Sequence, residues 1–193
     1  MEKHFTGYHG TVKSNVASIK SNGFRVEKYS FITSELQKVP GDLGAGVYAY
    51  KDSIENAKKF AEKFSDDISV LKLEIVVDED RFMDMDEESN SSLILEVYND
   101  NKVFNQLKER YMRTNKSAKS RECLDGLVLE HIIHKYRIPV DLVKKETYTR
   151  FKDLPPISHY FNGTELCIKN KKIIKKVSEE SISNTCRSGE NGN

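Results

Sequence analysis

The chain is poor in cysteine, in net charge and in long apolar runs, and each shortage closes a class of function. Its three cysteines, Cys123, Cys167 and Cys186, stand far apart with no Cys-x-x-Cys pair. That spacing offers no zinc knuckle, dithiol redox motif or disulfide framework, and it points to a reducing cytoplasm. Lysine and arginine total 31 against 30 aspartate and glutamate, a formal net charge of +1, so no general field gathers nucleic acid. No stretch approaches the roughly 18 to 20 apolar residues that span a bilayer. The opening Met1-Glu2-Lys3-His4-Phe5 has no apolar signal core, and the expectation is a soluble cytoplasmic protein with no membrane partner. No Gly-Lys-Ser or Gly-Lys-Thr occurs, which removes a Walker loop. The glycines of Gly41-Asp42-Leu43-Gly44-Ala45-Gly46 run in the order G-x-x-G-x-G and precede a strand. A dinucleotide fingerprint runs the other way and follows a strand, so a Rossmann site is rejected.

What is present suffices for one domain: 193 residues, 37% hydrophobic, with nine Phe and nine Tyr to fill a core. Phe5 to Thr11 reads as a short strand ending at a glycine. A helix follows, with Ser14 as N-cap, Val16 and Ile19 on one face and a stop at Asn22-Gly23. Residues 25–46 keep no period. Val47 to Tyr50 reads as a strand, and Asp52-Ser53-Ile54-Glu55 opens a helix with Ile54, Ala57, Phe60, Ala61 and Phe64 on one side. Leu71, Leu73, Ile75 and Val77 alternate as in a half-buried strand. Leu93 to Val97 and Val103 to Tyr111 predict two helices or one interrupted helix. Leu124 to Lys135 keeps helical period, although Leu127-Val128-Leu129 also suits a buried strand. Val140 to Phe151 reads as a strand, Pro155-Pro156 as a loop and Glu165 to Ile168 as the final strand. The expected domain is 1–177, followed by a disordered polar tail, 178–193. Seven acids between Asp78 and Glu88, and five lysines between Lys169 and Lys176, read as solvated faces. The lysine run also offers a docking surface for RNA.

Three short segments matter more when taken together. Tyr8-His9-Gly10-Thr11, Gly44-Ala45-Gly46-Val47-Tyr48 ahead of a helix, and Gly163-Thr164-Glu165-Leu166-Cys167-Ile168 on a late strand stand in that order. They resemble the three signature blocks of ADP-ribosyltransferases with a His-Tyr-Glu triad, the branch of diphtheria toxin and the poly(ADP-ribose) polymerases. The resemblance covers residues 5–65 and 155–177 as motifs. It implies an α+β fold of two small, mostly antiparallel sheets that form an NAD cleft, with helices around them. The implied activity is transfer of ADP-ribose from NAD, the co-substrate, to a macromolecular target, protein or nucleic acid, with release of nicotinamide. A compact domain without companion modules is more similar to bacterial or phage toxin and effector transferases than to chromatin polymerases. A single transfer is therefore expected, and for a toxin a neutralising partner.

Physical chemistry gives each residue a task. Cleaving the nicotinamide–ribose bond develops positive charge on the sugar, so a carboxylate beside it stabilises the transition state; Glu165 is the candidate. His9 is placed to hydrogen-bond a ribose hydroxyl, and Gly10 has no side chain to block its backbone from the nicotinamide carboxamide. The resemblance extends these roles to Thr11 at the adenosine ribose, to Gly46 and Tyr48 at the turn where Tyr48 stacks on nicotinamide, and to Asn56 and Phe60 near the polymerases' serine and second aromatic. Residues 151–162, with His159, Tyr160 and Phe161, would form the target-contacting loop. Plainer readings stand beside these: a structural histidine at a turn, a core tyrosine, a strand-edge acid. Gly163, two before Glu165, lacks the first acid of the Arg-Ser-Glu class, which is disfavoured. His131 and His134 beside Glu130 lack a third ligand at convincing spacing, so no metal is assigned. The alternatives are a silent module binding NAD, ADP-ribose or a nucleic-acid end, and an NAD-dependent RNA 2′-phosphotransferase, whose phosphate-binding basic set is not found.

Overall fold

The computed structural model describes residues 1–26, 28–31, 39–113, 124–151 and 160–181. The chain begins with β1 (Glu2–Val12), a 3-10 turn and α1 (Val16–Asn22), then β2 (Val47–Lys51), α2 (Ile54–Ala61) and β3 (Ile68–Asp78). A short β4 (Phe82–Asp84) leads into α3 (Glu88–Asn99), α4 (Asn101–Arg113) and α5 (Asp125–Lys135). It ends with β5 (Leu142–Thr147), β6 (Gly163–Ile168) and β7 (Ile174–Glu180). The class is α+β, as expected. Where two small sheets were anticipated, the seven strands form one mixed sheet in the order β4-β5-β6-β2-β1-β3-β7. Only β4 and β5 run parallel; the other neighbours are antiparallel.

The alternation of β3 puts Leu71, Leu73, Ile75 and Val77 into one core with Val47, Ala49, Leu142, Leu166 and Ile168. Helix α1 covers that face through Val16 and Ile19, and Gly23, at φ 73°, ends it so that the next residue, Phe24, is buried. The opposite face carries two clusters. Tyr50, Ala57, Val70 and Phe151 lie around α2, while Leu43, Met83, Met85, Leu129, Val143 and Cys167 lie under α5. The Ser53 hydroxyl caps α2 by accepting the Asn56 N–H at 3.2 Å. Of the apolar side expected for this helix, Ala57 and Ala61 are buried but Ile54 and Phe64 are exposed. The reason is the closeness of approach. Helix α2 crosses β1 at Gly10, where a Cβ would overlap the Ala57 carbonyl, so only its alanine stripe fits against the sheet.

Helical period prevails over the strand alternative at Leu127-Val128-Leu129, which lie fully inside α5. The helical stretch at 88–113 is two helices, as the break at Asn99-Asp100-Asn101 requires. Three expectations change. The helix proposed to start at Ser14 begins two residues later, behind a 3-10 turn at Lys13–Asn15. Strand β5 stops at Thr147 rather than Phe151, because the Thr149 N–H turns to the Asn162 side chain. Strand β6 is not the last: β7 pairs with β3 and continues through Glu180, three residues into the expected tail. Residues 182–193 lie outside the described residues.

Substituting Gly10→Ala is expected to destabilise the fold by about 2–3 kcal/mol, since two backbones meet there and neither yields as a side chain can. Urea unfolding of both proteins checks it; an unchanged midpoint would remove this packing account.

Candidate functional site

The site grows from the joint between β1 and β2. These strands pair at Gly7–Lys51 and Tyr8–Tyr50, and the Asp52 N–H donates to the Thr6 carbonyl at 3.1 Å. Continued, that register would offer the Tyr48 carbonyl to the Gly10 N–H. The His9 imidazole takes it instead, with Nδ1 at 2.7 Å. A carbonyl only accepts, so Nδ1 carries the hydrogen and Nε2 keeps a lone pair. Burial holds the His9 pKa below its ordinary value, so the ring is neutral at pH 7. It meets Phe24 edge-on, centroids 5.0 Å apart. Strand alternation turns the backbone groups of Tyr8 and Gly10 to the same side as those of Thr6, so Gly10 presents its N–H and C=O toward β2, past the last registered pair. Thr11 is buried, its hydroxyl accepting from Asn15 Nδ2 at 3.3 Å.

Glu165 sits one strand beyond β2, directly opposite Tyr50. Its Oε1 accepts from the Thr149 hydroxyl at 2.9 Å. That donation uses the only hydroxyl proton of Thr149, so Tyr50 donates to Thr149 Oγ1 in turn, at 2.8 Å. The chain Tyr50 to Thr149 to Glu165 therefore has one direction and ends on the carboxylate. Asn162 fixes Thr149 from both sides, accepting its N–H at 2.8 Å and donating to its carbonyl at 2.7 Å. The Asn162 carbonyl accepts from Asn56 Nδ2 at 2.8 Å. Asn56 thus ties α2 to the start of β6, where a Cβ on Gly163 would come within 2.6 Å of its amide nitrogen. Phe60 packs beside Tyr50, centroids 6.3 Å apart.

Tyr48 lies opposite Cys167 rather than Glu165. Its hydroxyl accepts the Leu43 N–H at 2.9 Å and donates to the Gly44 carbonyl at 2.8 Å, which pins the glycine loop to the sheet. Burial pushes its pKa well up, and the group stays a phenol. The same loop is held from α5: Glu130 Oε1 accepts from the Ala45 N–H at 2.7 Å and from Lys169 Nζ at 2.5 Å. Gly46 is needed because a Cβ there would lie 2.6 Å from Cys167 Sγ. Burial raises the Cys167 thiol to about 11, too high for a nucleophile.

His9, Gly10, Tyr48 and Glu165 all fall on the three adjacent strands β1, β2 and β6. The side chains do not share one face. His9 packs on the Phe24 side, whereas Glu165 lines up with Tyr50 on the α2 side. Tyr160 and Phe161 are 87% and 66% exposed and adjoin Asn162; His159 lies outside the described residues. Sequence reasoning missed Tyr50, Thr149 and Asn162. Tyr50 was reachable, since it stands two residues after Tyr48 and so shares its face of β2. The Thr149–Asn162 exchange spans thirteen positions and leaves no local signal. Glu130 is engaged by Lys169 and Ala45, and among the described residues no group of three or more His, Cys, Asp or Glu side chains clusters to hold a metal.

Two outcomes are expected. Tyr48→Phe leaves the buried Leu43 N–H and Gly44 carbonyl without the phenol and costs about 2 kcal/mol; chemical denaturation reads it. Because the folded His9 pKa lies below the unfolded 6.5, the unfolded state takes up the proton first, and stability falls as pH drops below about 6.5. His131 is lowered in the same sense. The test is therefore the difference between the parent and His9→Asn: the parent should lose more stability between about pH 7 and 5.5, and parallel curves would contradict a buried neutral His9. No protein-family model matches the chain, and no curated protein matches it.

Proposed function

We propose that this chain transfers ADP-ribose from NAD to a macromolecular acceptor, with Glu165 as the carboxylate that stabilises the oxocarbenium-like transition state. The observation that carries the reading is the pairing of a β1–β2 ladder that ends at Tyr8–Tyr50 with an anchored carboxylate. The Tyr50–Thr149 chain ends on Glu165, one strand away from a seam that presents the Gly10 backbone and the neutral His9. The registered ladder is also shortest at that joint. Strands β1 and β2 share two registered pairs, against eleven for β1 and β3 and four for β2 and β6. The strands form one sheet, and in the proposed reading its halves β4-β5-β6-β2 and β1-β3-β7 take the place of the two sheets that the resemblance implies.

Each group has work that matches its state. The His9 Nε2 lone pair accepts from a ribose hydroxyl, while Nδ1 stays on the Tyr48 carbonyl. Gly10 offers one donor and one acceptor to a carboxamide, which has the complementary pair. Tyr48, held by its hydroxyl at the glycine loop, is the ring that would stack on nicotinamide. Glu165, oriented by Thr149, faces the charge that develops on the sugar and needs no reorganisation when it appears. The bond from ribose C1 to nicotinamide nitrogen breaks with its electron pair on nicotinamide. A bond from the acceptor's nucleophile to the same carbon forms, and the acceptor's proton passes to solvent. NAD and acceptor–H so become ADP-ribosyl acceptor, nicotinamide and a proton.

Incubation with NAD labelled on its adenylate half, with protein extract, RNA and DNA offered separately, tests the reading. Glu165→Gln should lower nicotinamide release by about 100-fold or more, the scale of removing one transition-state partner. NAD binding without release in any fraction would favour the silent module. Replacing Tyr160 or Phe161 by Ala should reduce acceptor labelling more than NAD hydrolysis, and equal losses would dismiss the exposed pair as a target loop.

A further inference from the structure

Strand β5 pairs with β6 from Leu142–Ile168 to Thr147–Gly163. Continued, that register would set Thr149 opposite Phe161, well past Lys145, the residue that faces Glu165. At about 3.3 Å per residue, Thr149 and Glu165 would then stand about 13 Å apart along the strands, farther than their two side chains can bridge. Yet the Thr149 hydroxyl meets Glu165 Oε1 at 2.9 Å. The chain therefore leaves the ladder after Thr147 and turns over β6 toward β2, where Phe151 packs beside Tyr50 with centroids 6.3 Å apart.

Asn162 holds that turn with each of its polar groups. Its N–H donates to the Thr147 carbonyl at 3.0 Å, and its carbonyl accepts from Asn56 Nδ2 at 2.8 Å, which ties it to α2. Its side-chain amide does for Thr149 what a facing peptide does in an antiparallel ladder. Oδ1 accepts the Thr149 N–H at 2.8 Å, and Nδ2 donates to the Thr149 carbonyl at 2.7 Å. This exchange needs a donor and an acceptor side by side at the end of a short side chain. Asparagine has both, aspartate lacks the donor and leucine lacks the two.

The orientation so fixed has a competitor. Residues directly opposite in an antiparallel pair have Cβ atoms about 4.5–5.5 Å apart, so Lys145 is close enough to draw an ionised Glu165 toward itself. Oε1 turns to the Thr149 hydroxyl instead, and it does so because Thr149 is held in place. We propose that Asn162 is the positioning residue of Glu165: its amide sets Thr149, Thr149 sets the carboxylate, and Asn162 itself does not touch NAD. The assignment rests on the transferase reading and extends it by the residue on which the preorganisation of the carboxylate depends.

The test is nicotinamide release from NAD by the full chain, with the acceptor fractions offered and each variant assayed well below its unfolding midpoint. Asn162→Ala should lower kcat about tenfold or more, since a misplacement of about 1 Å is felt on that scale. KM for NAD should stay within about twofold, the pattern of a contribution made in the transition state alone. Thr149→Val keeps the shape, removes the hydroxyl and should do the same, while Thr149→Ser should restore kcat. Arg150→Ala, at the exposed residue beside Thr149, should leave both constants at the parental values. A second readout follows the carboxylate directly. The carbon-13 signal of the Glu165 side-chain carboxyl, identified by its loss in Glu165→Gln, should shift in Asn162→Ala and in Thr149→Val and return in Thr149→Ser. Parental kcat in Asn162→Ala, or a lower kcat with an unmoved carboxyl signal, overturns the positioning role and leaves the transferase reading standing. A parent that releases no nicotinamide overturns the transferase reading, and the carboxyl signal then decides the positioning role by itself. If Asn162→Ala does not fold, Thr149→Val and Thr149→Ser decide by the same two readouts.

Discussion

The structure turns on one carbonyl, that of Tyr48, and on which donor reaches it. A regular ladder would give it to the Gly10 N–H and close β1 onto β2. The His9 side chain claims it first, at 2.7 Å, and registered pairing stops one residue earlier, at Tyr8–Tyr50. Three consecutive residues divide the labour. Tyr8 makes the last pair, His9 ends the ladder, and Gly10, lacking a Cβ, lets α2 settle onto the strand. The exchange costs little in hydrogen bonds, since a buried imidazole needs a partner as much as a carbonyl does. What it leaves is backbone outside the registered ladder, a condition an edge strand meets only at the margin of a sheet. Here it occurs at an interior joint, between β2 and β1.

A ladder that ends inside a sheet needs its strands positioned by other contacts, and the glycine loop before β2 supplies them. Its backbone is tied at Leu43 and Gly44 by the Tyr48 phenol and at Ala45 by Glu130 and Lys169. Glu130 and Lys169 retain side-chain exposures of only 12% and 10%. Two charges buried to that degree gain little net stability from each other, yet removing one partner costs about 3–5 kcal/mol, because the other is left stranded. A pair of this kind fixes position more than it adds stability. It holds β6, α5 and the loop in one register, and Tyr48 inherits that register.

Much of this was legible where the physics is local. Helical period in Ile54 to Ala61 and alternation from Leu71 to Val77 forecast α2 and β3, and Asn22-Gly23 forecast the end of α1. Strand β7 was hidden for a physical reason. As an edge strand it has one neighbour, so Lys175, Lys176 and Ser178 are tolerated and its composition reads as tail. Of the site, the three blocks fall on the adjacent strands β1, β2 and β6, but the alternation of β2 was not followed to its end. The register that places Tyr48 opposite Cys167 places Tyr50 opposite Glu165. The buried tyrosine that orients the carboxylate is therefore the second of the pair. Thr149 and Asn162 meet only because β5 ends early, and no window of sequence contains that event.

The two faces of the sheet add a final constraint. His9 leans toward Phe24, on the side covered by α1, and Glu165 faces the side covered by α2. In an unbroken sheet no ligand could touch both, since the backbone of β2 would lie between them. The registered ladder ends at Tyr8–Tyr50, and the two side chains lie on opposite faces of the sheet, on strands that flank β2. Under the proposed transferase reading one ligand spans both faces across the joint between β1 and β2, and a dinucleotide, with a ribose on each side of its pyrophosphate, has the length for it. In that reading the His9–Gly10 segment and the carboxylate argue more strongly together than either does separately.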